Sequence, residues 1–96
     1  MAATVWTFLS NHAHVLICVA RDPQLTIREL SDVVGITERA VQRILGELSS
    51  EGYLQKEREG RNNRYVLDPD RPLRHPVEAS HTVGTLIRAM GRRGSR

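Results

Sequence analysis

A stretch of 96 residues is expected to hold one small domain with a single core, without a separate effector-binding domain. Its composition, 40% hydrophobic and 26% charged, is that of a folded chain, and no apolar run approaches the ~18 residues that would span a bilayer. The formal net charge of +3 permits an anionic partner without requiring one, and a single cysteine, Cys18, excludes an internal disulfide.

Charge placement says more than charge total. All but one of the fourteen Lys and Arg side chains are arginine, Lys56 being the exception. Arg58, Arg61 and Arg64 gather around one Gly/Asn turn, and Arg88, Arg92, Arg93 and Arg96 crowd the C-terminus. A reducing compartment suits the lone thiol. The start of the chain shows no basic segment ahead of a signal-like core, so a cytoplasmic location is expected.

From Val5 to Ala20 there is neither Gly nor Pro, and Val5, Phe8, Leu9, Val15, Leu16 and Val19 recur at helical spacing. The pattern predicts a first helix ending near Asp22-Pro23. Its other side carries Trp6, Ala13, Ile17 and Ala20, and a helix apolar on two sides has two partners: its own core and a second subunit. Next, Thr26-Ile27-Arg28-Glu29 reads as a capping box. It opens a short helix with Ile27, Leu30, Val33 and Val34 inward, stopped by Gly35 in a tight turn. Thr37 caps a longer helix that runs to about Ser50, with Val41, Ile44, Leu45 and Leu48 on one face and Gly52 after its end. An extended stretch opens with Gly52-Tyr53-Leu54 and runs to Glu59. Gly60-Arg61-Asn62-Asn63 is a turn cluster, and Arg64-Tyr65-Val66-Leu67 is a second strand.

Short helix, glycine turn and longer helix resemble the helix-turn-helix, with Ile27, Leu30, Val34, Gly35, Ile36, Val41 and Ile44 where that pattern places core and turn. Ser31 stands where the pattern usually has alanine. The run from Thr37 to Leu67, with its "EGYL" and "GRNNRYVL", is similar to the MarR and ArsR type of winged-helix repressor. The fold class implied is mainly α with a small β-hairpin wing: a winged helix-turn-helix over residues 1–67, with an extra C-terminal helix. Residues 68–76, rich in proline, are expected to be an extended linker. Residues 77–90 recover helical spacing, with Val83, Leu86, Ile87 and Met90 as one apolar stripe, and are expected to be a dimerisation helix meeting Trp6, Ala13 and Ile17 across a two-fold axis. Residues 91–96 form a basic tail.

The resemblance implies double-stranded DNA as partner and a homodimeric transcriptional regulator, a repressor by occupancy. Thr37, Glu38, Arg39, Gln42 and Arg43 lie on the outward face of the longer helix. A solvated face would explain them equally by type, but Gln42 and Arg43 have the forked donors and acceptors that pair with adenine and guanine edges in the major groove. Arg61, Asn62, Asn63 and Arg64 would meet phosphates or the minor groove. A protein-interaction module or an architectural DNA-coating module is the alternative use of the same fold. His14 and Cys18, four apart, and His75, Glu78 and His81, three apart, raise a metal question. The ligand patterns usual in ArsR-like metal sensors are not reproduced, so no metal, cofactor or small-molecule effector is assigned, and no membrane partner is expected. No phosphate-binding loop, nucleophile elbow or carboxylate pair suggests an enzyme.

Overall fold

The computed structural model describes residues 6–91. Val5 and the arginines at 92, 93 and 96 lie outside the described residues. The chain runs through α1 (Asn11–Arg21), α2 (Ile27–Val34), α3 (Glu38–Ser50), β1 (Leu54–Glu59), β2 (Asn62–Leu67) and α4 (Val83–Met90).

α1 is shorter than its apolar spacing predicts. Ser10 takes an extended conformation and its side chain accepts from Ala13 N, so the helix begins at Asn11. Trp6 and Phe8 therefore leave the helical stripe and stand in solvent, 75% and 91% exposed, with their rings edge to face at 4.9 Å. The helix stops at Arg21, before Pro23.

The two central helices form as their caps dictate. Thr26 Oγ1 accepts from Glu29 N at 3.1 Å, and Glu29 Oε1 accepts from Thr26 N at 2.8 Å, which completes the capping box. Gly35, at φ 82°, turns the chain, and Thr37 Oγ1 accepts from Ala40 N at 3.0 Å to open α3. Ser31 has a use the sequence alone did not supply: its hydroxyl donates to Ile36 O at 2.6 Å across the turn. α3 closes with a Schellman pair, Tyr53 N to Leu48 O and Gly52 N to Ser49 O, at 2.8 and 3.1 Å. Val33, expected inward, is exposed. Ile27, Leu30 and Val34 already occupy the inward stripe of α2, and Val33 sits one residue, ~100°, off Val34.

Leu30, Val41, Ile44, Val15 and Val19 are fully buried where α1, α2 and α3 meet, and Leu54 and Tyr65 bring the base of the hairpin into the same core. β1 and β2 are antiparallel with Leu54 opposite Leu67 and Glu59 opposite Asn62. That register leaves only Gly60 and Arg61 in the turn, so Asn62 and Asn63 belong to β2 rather than to a longer turn cluster. Gly60 at φ 63° followed by a residue without positive φ is the two-residue hairpin pattern with glycine first.

The C-terminal third departs most from expectation. Residues 68–82 are not a free linker. Leu73 N donates to His81 O, Val83 N to Arg71 O, Gly84 N to Pro69 O and the Tyr53 hydroxyl to Pro72 O, all between 2.7 and 2.9 Å. These bonds fold the segment into a strap over the hairpin base, and the helix expected from residue 77 begins only at Val83, capped by Thr82. α4 then packs on α1 of its own chain. Val83, expected at a subunit interface, is fully buried in the subunit core, Ile87 packs against that core, and Ile17 is buried too. Arg21 secures the far end by donating from Nη2 to Met90 O at 3.0 Å.

Candidate nucleic-acid interface

α3 spends one face on the core and offers the other to solvent. Val41, Ile44, Leu45 and Leu48 are buried, whereas Thr37, Glu38, Arg39, Gln42 and Arg43 are all exposed. The five sequence-selected residues thus share one accessible surface over the first turn and a half. Within it their situations differ. Thr37 Oγ1 is occupied as a cap acceptor, which leaves its hydroxyl hydrogen free to donate. Arg39 makes no ion pair among the described residues. Arg43 Nη1 approaches Glu47 Oε1 at 3.3 Å, one helical turn on.

Glu47 has a second partner. His12 Nε2, from α1, lies 2.7 Å from the same Oε1. That hydrogen bond first, and then the charges of Arg43 and His12, hold the Glu47 carboxyl below its ordinary range. His12 was not singled out from the sequence. Its pairing joins residues 35 positions apart, and no local pattern carries that.

The hairpin projects beside α3 and is tied at two points. Tyr65 N donates to Pro23 O at 3.1 Å, and Gln24 Nε2 donates to Glu59 Oε1 at 2.7 Å. Alternation along the paired strands sorts its charges. Gln55, Glu57 and Glu59 share a face with Asn62, Arg64 and Val66, and Arg64 Nη1 lies 3.7 Å from Glu57. Lys56 and Arg58 share the opposite face with Asn63 and Tyr65, where β1 places no carboxylate. Arg61 stands at the tip in the turn. The structure therefore separates the four wing residues: Arg61 and Asn63 are compatible with the uncompensated face, whereas Arg64 and Asn62 sit among glutamates. Arg58, absent from the sequence-selected set, takes a better position than Arg64. Counting alternate residues outward from the buried Leu54 would have found it.

Residues 10–55 match the family model described as winged helix-turn-helix DNA-binding. The fold is a winged helix-turn-helix. Among solved structures, this winged helix is similar to a MarR family protein of Mycobacterium tuberculosis in complex with salicylic acid. The identity is 22% and the TM-score 0.52, over 62% of this chain and 47% of that one. It is also similar to the zinc-dependent MarR family transcriptional regulator AdcR in its Zn(II)-bound state, at 21% identity and a TM-score of 0.49, over 71% of this chain and 49% of that one. The likeness is one of fold, and the chain spans about half the length of the solved regulators it matches. No curated protein sequence matches it.

Among the described residues an open groove of about 770 Å³ lies between the start of α1, the end of α3 and the strap. Phe8, Leu9, Leu16, Leu48 and Leu86 give it an apolar floor, and His12, Glu47, Glu51, Arg74 and Glu78 its polar rim. Of the expected interface residues, Trp6 is exposed, Ala13 and Leu86 are half-buried in this groove's surroundings, and Met90 is 40% exposed beyond it. Of the residues that raised a metal question, His14 Nδ1 lies 3.2 Å from Asn11 Oδ1. Cys18 is buried and its thiol pKa is raised by that burial, against a smaller lowering by Arg21. Val77 N donates to His75 Nδ1, and His81 N donates to Glu78 O, within the strap. Among the described residues no three His, Cys, Asp or Glu side chains converge on one point, and no helix is long and apolar enough to cross a membrane.

Proposed function

We propose that the protein is a sequence-specific double-stranded DNA-binding transcriptional regulator, acting by occupancy as a repressor, with α3 in the major groove. The observation that carries this reading is the surface of α3: a helix fixed to the core on one side presents Arg39, Gln42 and Arg43 together and free of packing on the other. Gln42 and Arg43 read base edges. Thr37 and Arg39 hold phosphates, and Glu38 is placed to accept from a cytosine amino group. The wing adds backbone or minor-groove contacts through Arg61 and Asn63, with Asn62 and Arg64 in support.

A single winged helix covers few base pairs, so the reading includes a homodimer with half-sites ~34–36 Å apart, one duplex turn. Exposed Trp6 and Phe8, with Leu86 and Met90, supply the apolar surface for it; Val83 and Ile17, inside their own subunit, do not. The test is titration of the protein onto generic duplex across salt, followed by competition with a site recovered by footprinting its own upstream region. Tight, salt-sensitive and selective binding supports the regulator. Tight but unselective binding would replace it with a DNA-coating role, and no binding would leave α3 facing a protein partner.

A further inference from the structure

We propose that His12, on α1, is a positioning residue for the DNA-reading Arg43, acting through Glu47, and that it makes DNA affinity depend on pH. The inference rests on the DNA-binding reading above and names a control within it.

Three side chains carry the argument. Glu47 is the one carboxylate in the last three turns of α3 within reach of the outward arginine, and Arg43 Nη1 lies 3.3 and 3.5 Å from its two oxygens. An arginine held along its own helix by a carboxylate is an arginine withheld from a base edge. The carboxylate itself is a negative charge beside the phosphates that α3 would approach. His12 Nε2 takes Oε1 at 2.7 Å, the shortest bond of the three. It thereby holds Glu47 toward α1 and shares with Arg43 an oxygen that accepts from both, which weakens the hold on the arginine. A neutral imidazole does so as a hydrogen-bond donor; an imidazolium also cancels the charge. Protonation of His12 therefore releases Arg43 and removes the local repulsion of DNA, so both effects have the same sign.

Charged groups face His12 from two elements. From α3 it faces Glu47, with Arg43 behind it and Glu51 one turn further on; from the strap, Arg74 and Glu78 line the same groove. His12 is part-exposed, with 43% of its side chain accessible. Because all three groups are near the surface, the coupling is modest: a change in DNA affinity of up to about fivefold between pH 8 and pH 6, the interval in which histidines ordinarily titrate.

The experiment measures duplex affinity by fluorescence anisotropy from about pH 8 to pH 6 at fixed ionic strength. It compares wild type, His12→Ala, Glu47→Gln and the double variant, each checked for an unchanged melting profile. Wild type should bind more tightly as pH falls. His12→Ala should bind more weakly at pH 6 and lose most of that rise. Glu47→Gln should bind at least as tightly as wild type with a flattened profile, and adding His12→Ala to it should change nothing. His14, His75 and His81 are present in all four proteins and cancel in the comparison. A His12→Ala profile parallel to wild type overturns the inference, as does an equal loss from His12→Ala in the Glu47→Gln background. Wild type that binds no duplex at any pH fails the DNA-binding reading itself, a separate result.

Discussion

The bond from Ser31 to the Ile36 carbonyl spans the turn that sets α3 against α2, so Ser31→Ala tests whether that turn is specified by chemistry or merely by glycine. Two terms oppose each other. Alanine is the better helix former, worth about 0.5 kcal/mol over serine in a helix interior. Against it stands a part-buried hydrogen bond of 2.6 Å, whose loss costs about 1 kcal/mol, and more if the Ile36 carbonyl finds no water in its place. The bond wins by about 0.5 kcal/mol or more. For a chain of this length that lowers Tm by roughly 2–4 °C. Differential scanning calorimetry or thermal circular dichroism at neutral pH reads it directly. The looser turn should also weaken duplex binding, with no base contact removed. A Ser31→Ala protein that melts higher than wild type would refute the reasoning, since helix propensity would then outweigh the cross-turn bond.

Gly46, exposed in the middle of α3 with open space where a Cβ would stand, should accept alanine with a gain of about 0.5–1 kcal/mol in stability, seen as a higher Tm. Leu86→Glu should convert a dimer to a monomer by light scattering while the melt stays cooperative; Ile87 is the wrong probe for this, because it packs on the subunit core. Val83→Ala, which removes two buried carbon groups, should cost about 2 kcal/mol and lower Tm visibly, an outcome a peripheral C-terminal helix would not give. The lowered pKa of Glu47 contributes stability that is present above the ordinary carboxylate range and fades as pH falls through its folded value, so Glu47→Gln should flatten the acid limb of the stability curve. Native Cys18, buried and with a raised pKa, should react with thiol reagents far more slowly than the unfolded chain.

Where local chemistry decides, the sequence was readable. Thr26 with Glu29, Gly35, and Thr37 mark both central helices because caps and left-handed turns are chosen by neighbours within four residues. The alternation of Leu54 and Tyr65 with charged residues likewise marks the hairpin. Legibility ended where the deciding partner lies far along the chain. Ser10 cut short a helix whose apolar spacing continued beyond it. Residues 68–76 looked like a linker, and 77–82 like the start of a helix, because the strap's bonds to Tyr53 and between its own ends use backbone groups that carry no sequence signature. Val83 and Ile87 looked unpartnered because the space they fill, beside α1, exists only once three helices have assembled. At the candidate interface, Arg39, Gln42 and Arg43 are exposed because the spacing of Val41, Ile44, Leu45 and Leu48 turns them outward. Strand parity then ranked the wing: Arg64 faces Glu57, whereas Arg58 and Lys56 do not.

The central claim is that α3 reads duplex DNA through its outward side chains, and Arg43→Ala tests it most directly. Affinities of wild type and variant are to be measured by anisotropy at one salt concentration, for the preferred duplex and for a scrambled one. The account predicts a loss of about 1–3 kcal/mol on the preferred duplex, a smaller loss on the scrambled one, and hence a narrowed preference. Equal affinity of both proteins for the preferred duplex, with the preference intact, would contradict it.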